Sequence, residues 1–428
     1  MIVLRTPKPT PRWLLSAALA VILVTSMTAL PTGQTPNTPR WVTAWGSAHR
    51  ALGEDLVTNA TVRMISRVTI PGNAVRVRLS NVYGTEPLTV GRASVGLRAR
   101  GGALIVDSAH PLTFNGSERV VIPPGGTVTS DSAPLQVLAQ QDVAVSLYVP
   151  EDNVRPSQHT GALVTSYRTP DGVGDLTSDE TATDFVITTT AMWWLKSIDV
   201  QSTASPGAIV AFGDSITDGS CSTLDAHNRW EDLLSVRLGL AYEATSQDRA
   251  STAGLKAVVN EGIGGNTITR KDLMPPPDST PGLERLNRDV LSHHSVRDVV
   301  LFMGTNDIRR GVTAANLISG MIAIAERIKA QGIRVIGATI IPRHNRAAVG
   351  NNTGWNPEKT SIRNEVNSWI RTTAPFDAVI DFSQVVRDPG DPDRLFPPFD
   401  CGDGIHPSVL GYYEMGKAVD LSLFTAPQ

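Results

Sequence analysis

Ala208-Ile209-Val210-Ala211-Phe212-Gly213-Asp214-Ser215-Ile216-Thr217-Asp218-Gly219 passes from an unbroken apolar run into a small polar turn. An apolar run closed by glycine is how a strand buried on both faces reads, and such strands belong to parallel sheets. Downstream, Asp298 to Met303, Arg334 to Ile341 and Ala378 to Phe382 repeat the theme. Between them Leu317, Met321, Ile324 and Ile328 recur at helical spacing, with Thr313 placed to cap the start and Gly332 the end. Trp230, Leu233, Leu234 and Leu238 mark another helix. Strand alternating with helix predicts a parallel sheet wrapped in helices over residues 208–428, with functional residues at the carboxyl ends of its strands.

Upstream the pattern is different. Val75, Val77 and Leu79 alternate with Arg76 and Arg78, and Val143, Val145, Leu147 and Val149 alternate with Ala144, Ser146 and Tyr148. That is the period-2 signature of half-buried strands. Pro71-Gly72-Asn73 and Pro124-Gly125-Gly126 punctuate such runs. Residues 38–202 are expected to form an all-β, sandwich-like or jelly-roll domain, joined through a linker at 203–207. At the amino terminus Arg5, Lys8 and Arg12 precede an apolar stretch from Trp13 to Val24, then small residues and a polar segment. This is the layout of an export signal over residues 1–35, which makes the expected location extracellular. The same stretch can be read as a membrane anchor, but its core is short for a span.

The chain of 428 residues is 41% hydrophobic and 18% charged, a globular composition with room for two domains. Loss of residues 1–35 removes three cations and no acid, taking the net charge from −3 to −6. A mildly acidic surface has no electrostatic attraction for nucleic acid or anionic membranes, and no partner of either kind is expected.

Four short segments follow the strands or lie in late loops: Gly213-Asp214-Ser215, Asn260 to Thr267 with its paired Gly264-Gly265, Gly304-Thr305-Asn306-Asp307, and Asp403-Gly404-Ile405-His406. Each alone is weak. Gly-Asp-Ser also reads as a helix cap, and the glycines as an ordinary loop. Together they supply what acyl transfer needs. A serine hydroxyl becomes a nucleophile when a neutral histidine takes its proton, and a carboxylate three residues away can fix that histidine's tautomer. Donors must then meet the oxyanion.

In this order the four segments resemble the blocks of the SGNH (GDSL-type) hydrolase superfamily. The resemblance implies a flavodoxin-like α/β/α domain and a serine esterase mechanism without metal or cofactor. It puts Ser215, Asp403 and His406 in the catalytic positions, and Ser215, Gly265 and Asn306 in the oxyanion hole, with Gly264 adjacent to the donor position. Trp41, Trp45 and the run from Val77 to Leu88 are similar to the β-rich amino-terminal domain of some exported bacterial members. If Ser215 and His406 meet, the loops carrying Cys221 and Cys401 are neighbours, which predicts a disulfide between them; two unpaired cysteines are the alternative. Closing so long a loop is worth about 4–5 kcal/mol on the chain-entropy argument.

Two loops are candidate substrate contacts: Pro342 to Pro357, carrying Trp355, and Arg394 to Cys401, carrying Phe396 and Phe399. Aromatic faces suit a sugar ring or an acyl chain, and equally the packing of the loops themselves. No Gly-x-Ser-x-Gly elbow or metal-binding motif is present, and Asp388, Asp391 and Asp393 read as a solvated loop. Glu261 and Asp307 are expected to support backbone geometry, and the histidines at 227, 293, 294 and 344 to have surface or structural roles. The expected activity is hydrolysis of carboxylic esters, with small O-acyl groups on polysaccharides as the substrate class. The alternatives are a secreted lipase or lysophospholipase, and a carbohydrate-binding protein that has lost activity. Oligomeric state is left open.

Overall fold

The computed structural model describes residue 1 and residues 38–246, 255–350 and 352–425. Met1 apart, the expected export signal lies outside the described residues. Pro39–Gln428 is one compact unit.

Its first part, up to Ser202, is built of strands. One sheet orders Arg40–Gly46, Leu195–Ser202, Val75–Ser80 and Thr127–Thr129. A larger one centres on Ala60–Val68, Gln141–Val149 and Arg92–Arg100, paired antiparallel. Val42, Val77 and Val200 from the first sheet share a buried cluster with Val62, Met64 and Val145 from the second, which makes a sandwich. Val75–Ser80 alternates as expected, with Arg76 and Arg78 half-buried. Gln141–Val149 does not: Ala144 and Ser146 are buried too. Its outer face is covered because Arg63 donates from the neighbouring strand to Ser146 Oγ (2.8 Å) and to the carbonyls of Gly102 and Asp179. Phe185 then lies over that guanidinium at 3.9 Å.

The second part is a five-stranded parallel sheet. Numbered within this part, its strands are β1 (Ala208–Gly213), β2 (Ala257–Gly262), β3 (Val296–Phe302), β4 (Arg334–Ala338) and β5 (Ala378–Ile380), in the order β2-β1-β3-β4-β5. This is the flavodoxin-like order, and right-handed crossovers send its helices to both faces. The helices are α1 (Ser215–Asp218), α2 (Trp230–Ser246), α3 (Gly282–Leu286), α4 (Thr305–Arg309), α5 (Ala314–Lys329), α6 (Pro357–Thr372), α7 (Phe382–Val386), α8 (Val409–Ala418) and α9 (Ser422–Thr425). Contacts join α2, α7 and α8 in one group and α3, α4, α5 and α6 in another. Thr313 caps α5 by accepting from the Asn316 amide, as its sequence implies. The order in which strands are added reverses between β1 and β3, so a crevice opens at their carboxyl ends.

The two parts share one core. A single buried cluster runs from Val42 to Phe424. The strand Arg40–Gly46 packs on β2, and a Cβ at Gly46 would lie 2.5 Å from Glu261 Oε1. The seam also carries buried charge. Lys196 Nζ lies 2.7 Å from Glu261 and 3.0 Å from Asp289, and His293 lies 2.6 Å from Glu261. Arg288 pairs with Asp289 and donates to Tyr83 Oη and the His49 carbonyl. Burial opposes ionisation of Asp289, but Lys196 and Arg288 outweigh it and hold that carboxyl far below the usual range.

Candidate active site

β1 delivers Gly213 to the crevice, where the backbone has no room for a side chain: a Cβ there would lie 2.1 Å from Thr217 Oγ1. Asp214 caps α1 through the Ile216 amide (3.0 Å), and Gly219 ends that helix in the left-handed region (φ 100°). The cap expected of Gly-Asp-Ser is therefore present, and it is Asp214 that makes it. Ser215 opens the helix, nearly buried, with its hydroxyl 2.8 Å from His406 Nε2.

His406 comes from a tight loop before α8. Its Nδ1 lies 2.5 Å from Asp403 Oδ2, while Asp403 Oδ1 accepts the amides of Ile405 and His406 at 2.8 Å each. Burial works against ionisation of Asp403, but the imidazole and the two amides outweigh it and hold the carboxyl well below its ordinary value. An ionised Asp403 accepts a hydrogen bond from Nδ1–H, which leaves Nε2 free to receive a proton from Ser215. Gly404 can only be glycine: φ is +69°, and a Cβ would stand 2.7 Å from that of His344. Cys221 and Cys401 are joined by a disulfide, Cα to Cα 6.2 Å, which ties the loop after α1 to this one. Tyr412 of α8 adds a second tie by donating to the Ser220 carbonyl at 2.8 Å.

The two other expected oxyanion donors come from the turn after β2 and from α4. In the turn after β2 the Gly264 amide is committed to Asp218 Oδ2 (2.8 Å), whereas the Gly265 amide meets no acceptor among the described residues. Of the two adjacent glycines, Gly265 is thus the one able to donate. Asn306 on α4 gives one N–H to the Asn266 carbonyl (3.1 Å), and its other N–H has no partner among the described residues. Asp307 is buried beneath the turn and accepts the amides of Ile268 and Thr269. Burial pushes Asp307 up to about 7 and Asp214 up to about 6. Arg285 fastens the whole arrangement by donating to the carbonyls of Gly213 and Glu261 and to the Asn266 side chain.

One connection crosses from the β-rich part. His159 Nδ1 lies 2.7 Å from the Ala48 carbonyl and Nε2 2.9 Å from Asp218 Oδ1. Both partners accept, so both nitrogens carry protons and the ring is an imidazolium. Burial disfavours that charge, but Asp218 more than compensates and raises the His159 pKa above the ordinary histidine value. The other oxygen of Asp218 holds the Gly264 amide. Neither His159 nor Arg285 stands in a recognisable motif, and their partners are remote in sequence.

Of the loop aromatics, Trp355 is a correction. It is buried, donates Nε1 to Thr360 Oγ1 (2.9 Å) and lies under the Arg343 guanidinium at 5.2 Å, so it packs its own loop and offers no face to a sugar. Phe396 and Phe399 are half-buried and meet edge to face at 5.1 Å, beside Val385 and Pro392. Among the described residues one set of possible metal donors converges, Cys221, Cys401 and Asp403, and its sulfurs are bonded to each other.

A serine bonded to a histidine that is itself bonded to an ionised carboxylate, at the switch point of a doubly wound sheet, describes the serine hydrolases. Residues 211–413 match the GDSL-like lipase/acylhydrolase family. Residues 211–413 are therefore a GDSL-like lipase/acylhydrolase domain, and the protein is a carboxylic ester hydrolase. No curated protein matches it. Among solved structures it is similar to a carbohydrate acetylesterase from Sinorhizobium meliloti (18% identity, 49% of this chain and 95% of that one, TM-score 0.38). It is also similar to the aryl esterase of M. smegmatis (20%, 49% and 95%, 0.37) and to a member of the lipolytic G-D-S-L family from Veillonella parvula (18%, 51% and 99%, 0.35).

Proposed function

We propose that this protein is an exported esterase that removes small O-acyl groups from polysaccharides through an acyl-enzyme on Ser215. The observation that carries the reading is the hydrogen-bonded line Ser215–His406–Asp403 beside an uncommitted Gly265 amide. As Ser215 Oγ attacks the ester carbonyl carbon, its proton passes to His406 Nε2. The carbonyl oxygen becomes an oxyanion facing the amides of Ser215 and Gly265 and the free N–H of Asn306. Collapse expels the alcohol, which takes the proton from His406. Water then enters by the same route in reverse and releases the acid. Asp403, held ionised, stabilises the imidazolium in both halves of the reaction.

A polar cleft next to the triad supports a hydroxylated alcohol in preference to a lipid. The basic-then-apolar amino terminus supports export, and so does a disulfide, which persists in oxidising compartments. The test is release of p-nitrophenol from its acetate, butyrate and longer esters by the wild type and by Ser215→Ala. Activity that vanishes in a folded variant, with acetate the best substrate, is the expected result. Equal rates in both proteins would remove Ser215 as nucleophile, and a preference for long chains would point to lipids.

A further inference from the structure

The cleft beside the triad contains a cation with nothing to hold. It encloses about 680 Å³ and is lined by residues that include Arg343, His344, Arg346, Asn364, Asp393 and Arg394. The volume suits a sugar residue or two. Its wall is continuous with the triad loop, because the His344 amide donates to the Gly404 carbonyl at 2.8 Å, one residue beyond Asp403. Arg343 is only 5% exposed, and among the described residues its guanidinium meets the Trp355 ring but no hydrogen-bond acceptor or acid. Trp355 supports it from one side at 5.2 Å. Asp403 and Asp214 are near enough for their charges to act on it. Burial, followed by the field of Arg309, pushes the Arg343 pKa down to about 10, so it stays charged at neutral pH. The acids of the cleft do not neutralise it. Of the two acids in its lining, Asp393 is taken by Arg363 at 2.6 Å and by Asn364, and Asp391 accepts the Asp393 amide, while Arg346 and Arg394 add positive charge at the rim.

With little of its surface exposed and no protein acceptor, the guanidinium turns its donors to the open cleft, where a ligand's oxygens can meet them. Resting on the esterase reading above, we infer that the Arg343 cleft is the subsite for the alcohol half of the substrate, and that this alcohol is a sugar bearing a carboxylate. The planar fork of Arg343 receives the carboxylate, and the polar side chains of the cleft meet the hydroxyls. Trp355 acts as a positioning residue beneath Arg343.

The experiment compares acetate release from an O-acetylated methyl galacturonoside and from the matching galactoside, whose CH₂OH replaces the carboxylate. Wild type is expected to favour the uronoside in kcat/KM by roughly tenfold or more, the worth of one charge-assisted bond to a buried cation. In Arg343→Gln that ratio falls to about one, whatever the overall rate of the variant. A wild-type ratio near one, or a ratio that survives the substitution, overturns the assignment. Should the variant fail to fold, inhibition of wild-type p-nitrophenyl acetate hydrolysis decides the matter. Free galacturonate should inhibit competitively at roughly tenfold lower concentration than galactose, and equal inhibition overturns the subsite. A preference for p-nitrophenyl hemisuccinate over the acetate, with none between the two sugars, also overturns it by moving the carboxylate to the acyl half. Failure of the esterase reading itself shows separately, as equal p-nitrophenyl acetate hydrolysis by wild type and Ser215→Ala.

Discussion

In the proposed mechanism Asn306 and Asp403 act on the same reaction from opposite ends, and substitutions at the two should be distinguishable. Asn306→Ala removes one oxyanion donor while the triad stays intact, so kcat should fall about 10²–10³-fold with little change in KM, read from steady-state kinetics. Asp403 is held in its charged form by His406 and two amides, against the effect of burial. Because its folded pKa is depressed, its contribution to stability is present above the ordinary aspartate value, about 3.9, and is lost as pH falls through the lowered one. Across the working range Asp403 therefore stays ionised. In the proposed mechanism the serine proton can pass only to a neutral His406. Activity should fall on the acid side, and a flat profile there would remove His406 as base. Both halves of this arrangement were legible in the sequence, because Asp403 and His406 lie three residues apart and Ser215 sits in a contiguous motif. Arg343 was not legible. Nothing local marks a loop arginine as buried, and the tryptophan expected to meet substrate turned out to be the plate beneath it.

Two of the elements that hold the site are unusual for where they lie in the chain. β2 carries Asn260 and Glu261 in a strand of the parallel sheet, so it lacks the unbroken apolar run by which its neighbours announce themselves. Glu261 is buried and Asn260 half-buried because both are used. Asn260 holds Glu231 and the Thr217 carbonyl, and Glu261 takes Lys196 and His293. A strand whose polarity is neutralised from another part of the chain cannot be found by hydrophobic pattern alone. The strand Ser157–His159 makes the same point from the other side. Its His159 reaches Asp218, 59 residues away, and through it the turn that presents Gly265. His159→Gln should lower kcat about tenfold, with KM moving less, because the oxyanion turn loses its brace and not its donor. The raised pKa of His159 gives the sign of a second readout. Its stabilisation is complete below the ordinary histidine value and is lost as pH rises through the elevated one. Thermal midpoints of wild type should therefore decline on the alkaline side by an increment that the variant lacks. Parallel curves for the two proteins would reduce His159 to a packing residue.

At the scale of the molecule, the β-rich part and the α/β part share a hydrophobic cluster and a buried cluster of ions, so they should unfold together. Calorimetry should record one transition, with calorimetric and van't Hoff enthalpies in agreement. Lys196→Ala leaves Glu261 and Asp289 without their shared cation, and should cost about 3–5 kcal/mol in denaturant unfolding. Two transitions, or a cost near zero, would mean that the seam is a loose contact. The change in texture near residue 203 is plain in the sequence, whereas the depth of the seam is not, since the pairs that make it join residues far apart in the chain. The cross-link between Cys221 and Cys401 has a consequence of another kind. With its ends 180 positions apart in sequence, it turns most of the parallel sheet into a covalent ring. A protease that nicks the ring once opens it without shedding a fragment, and the nucleophile and its base remain on one molecule. In an environment rich in proteases, such a protein can be cut and stay whole.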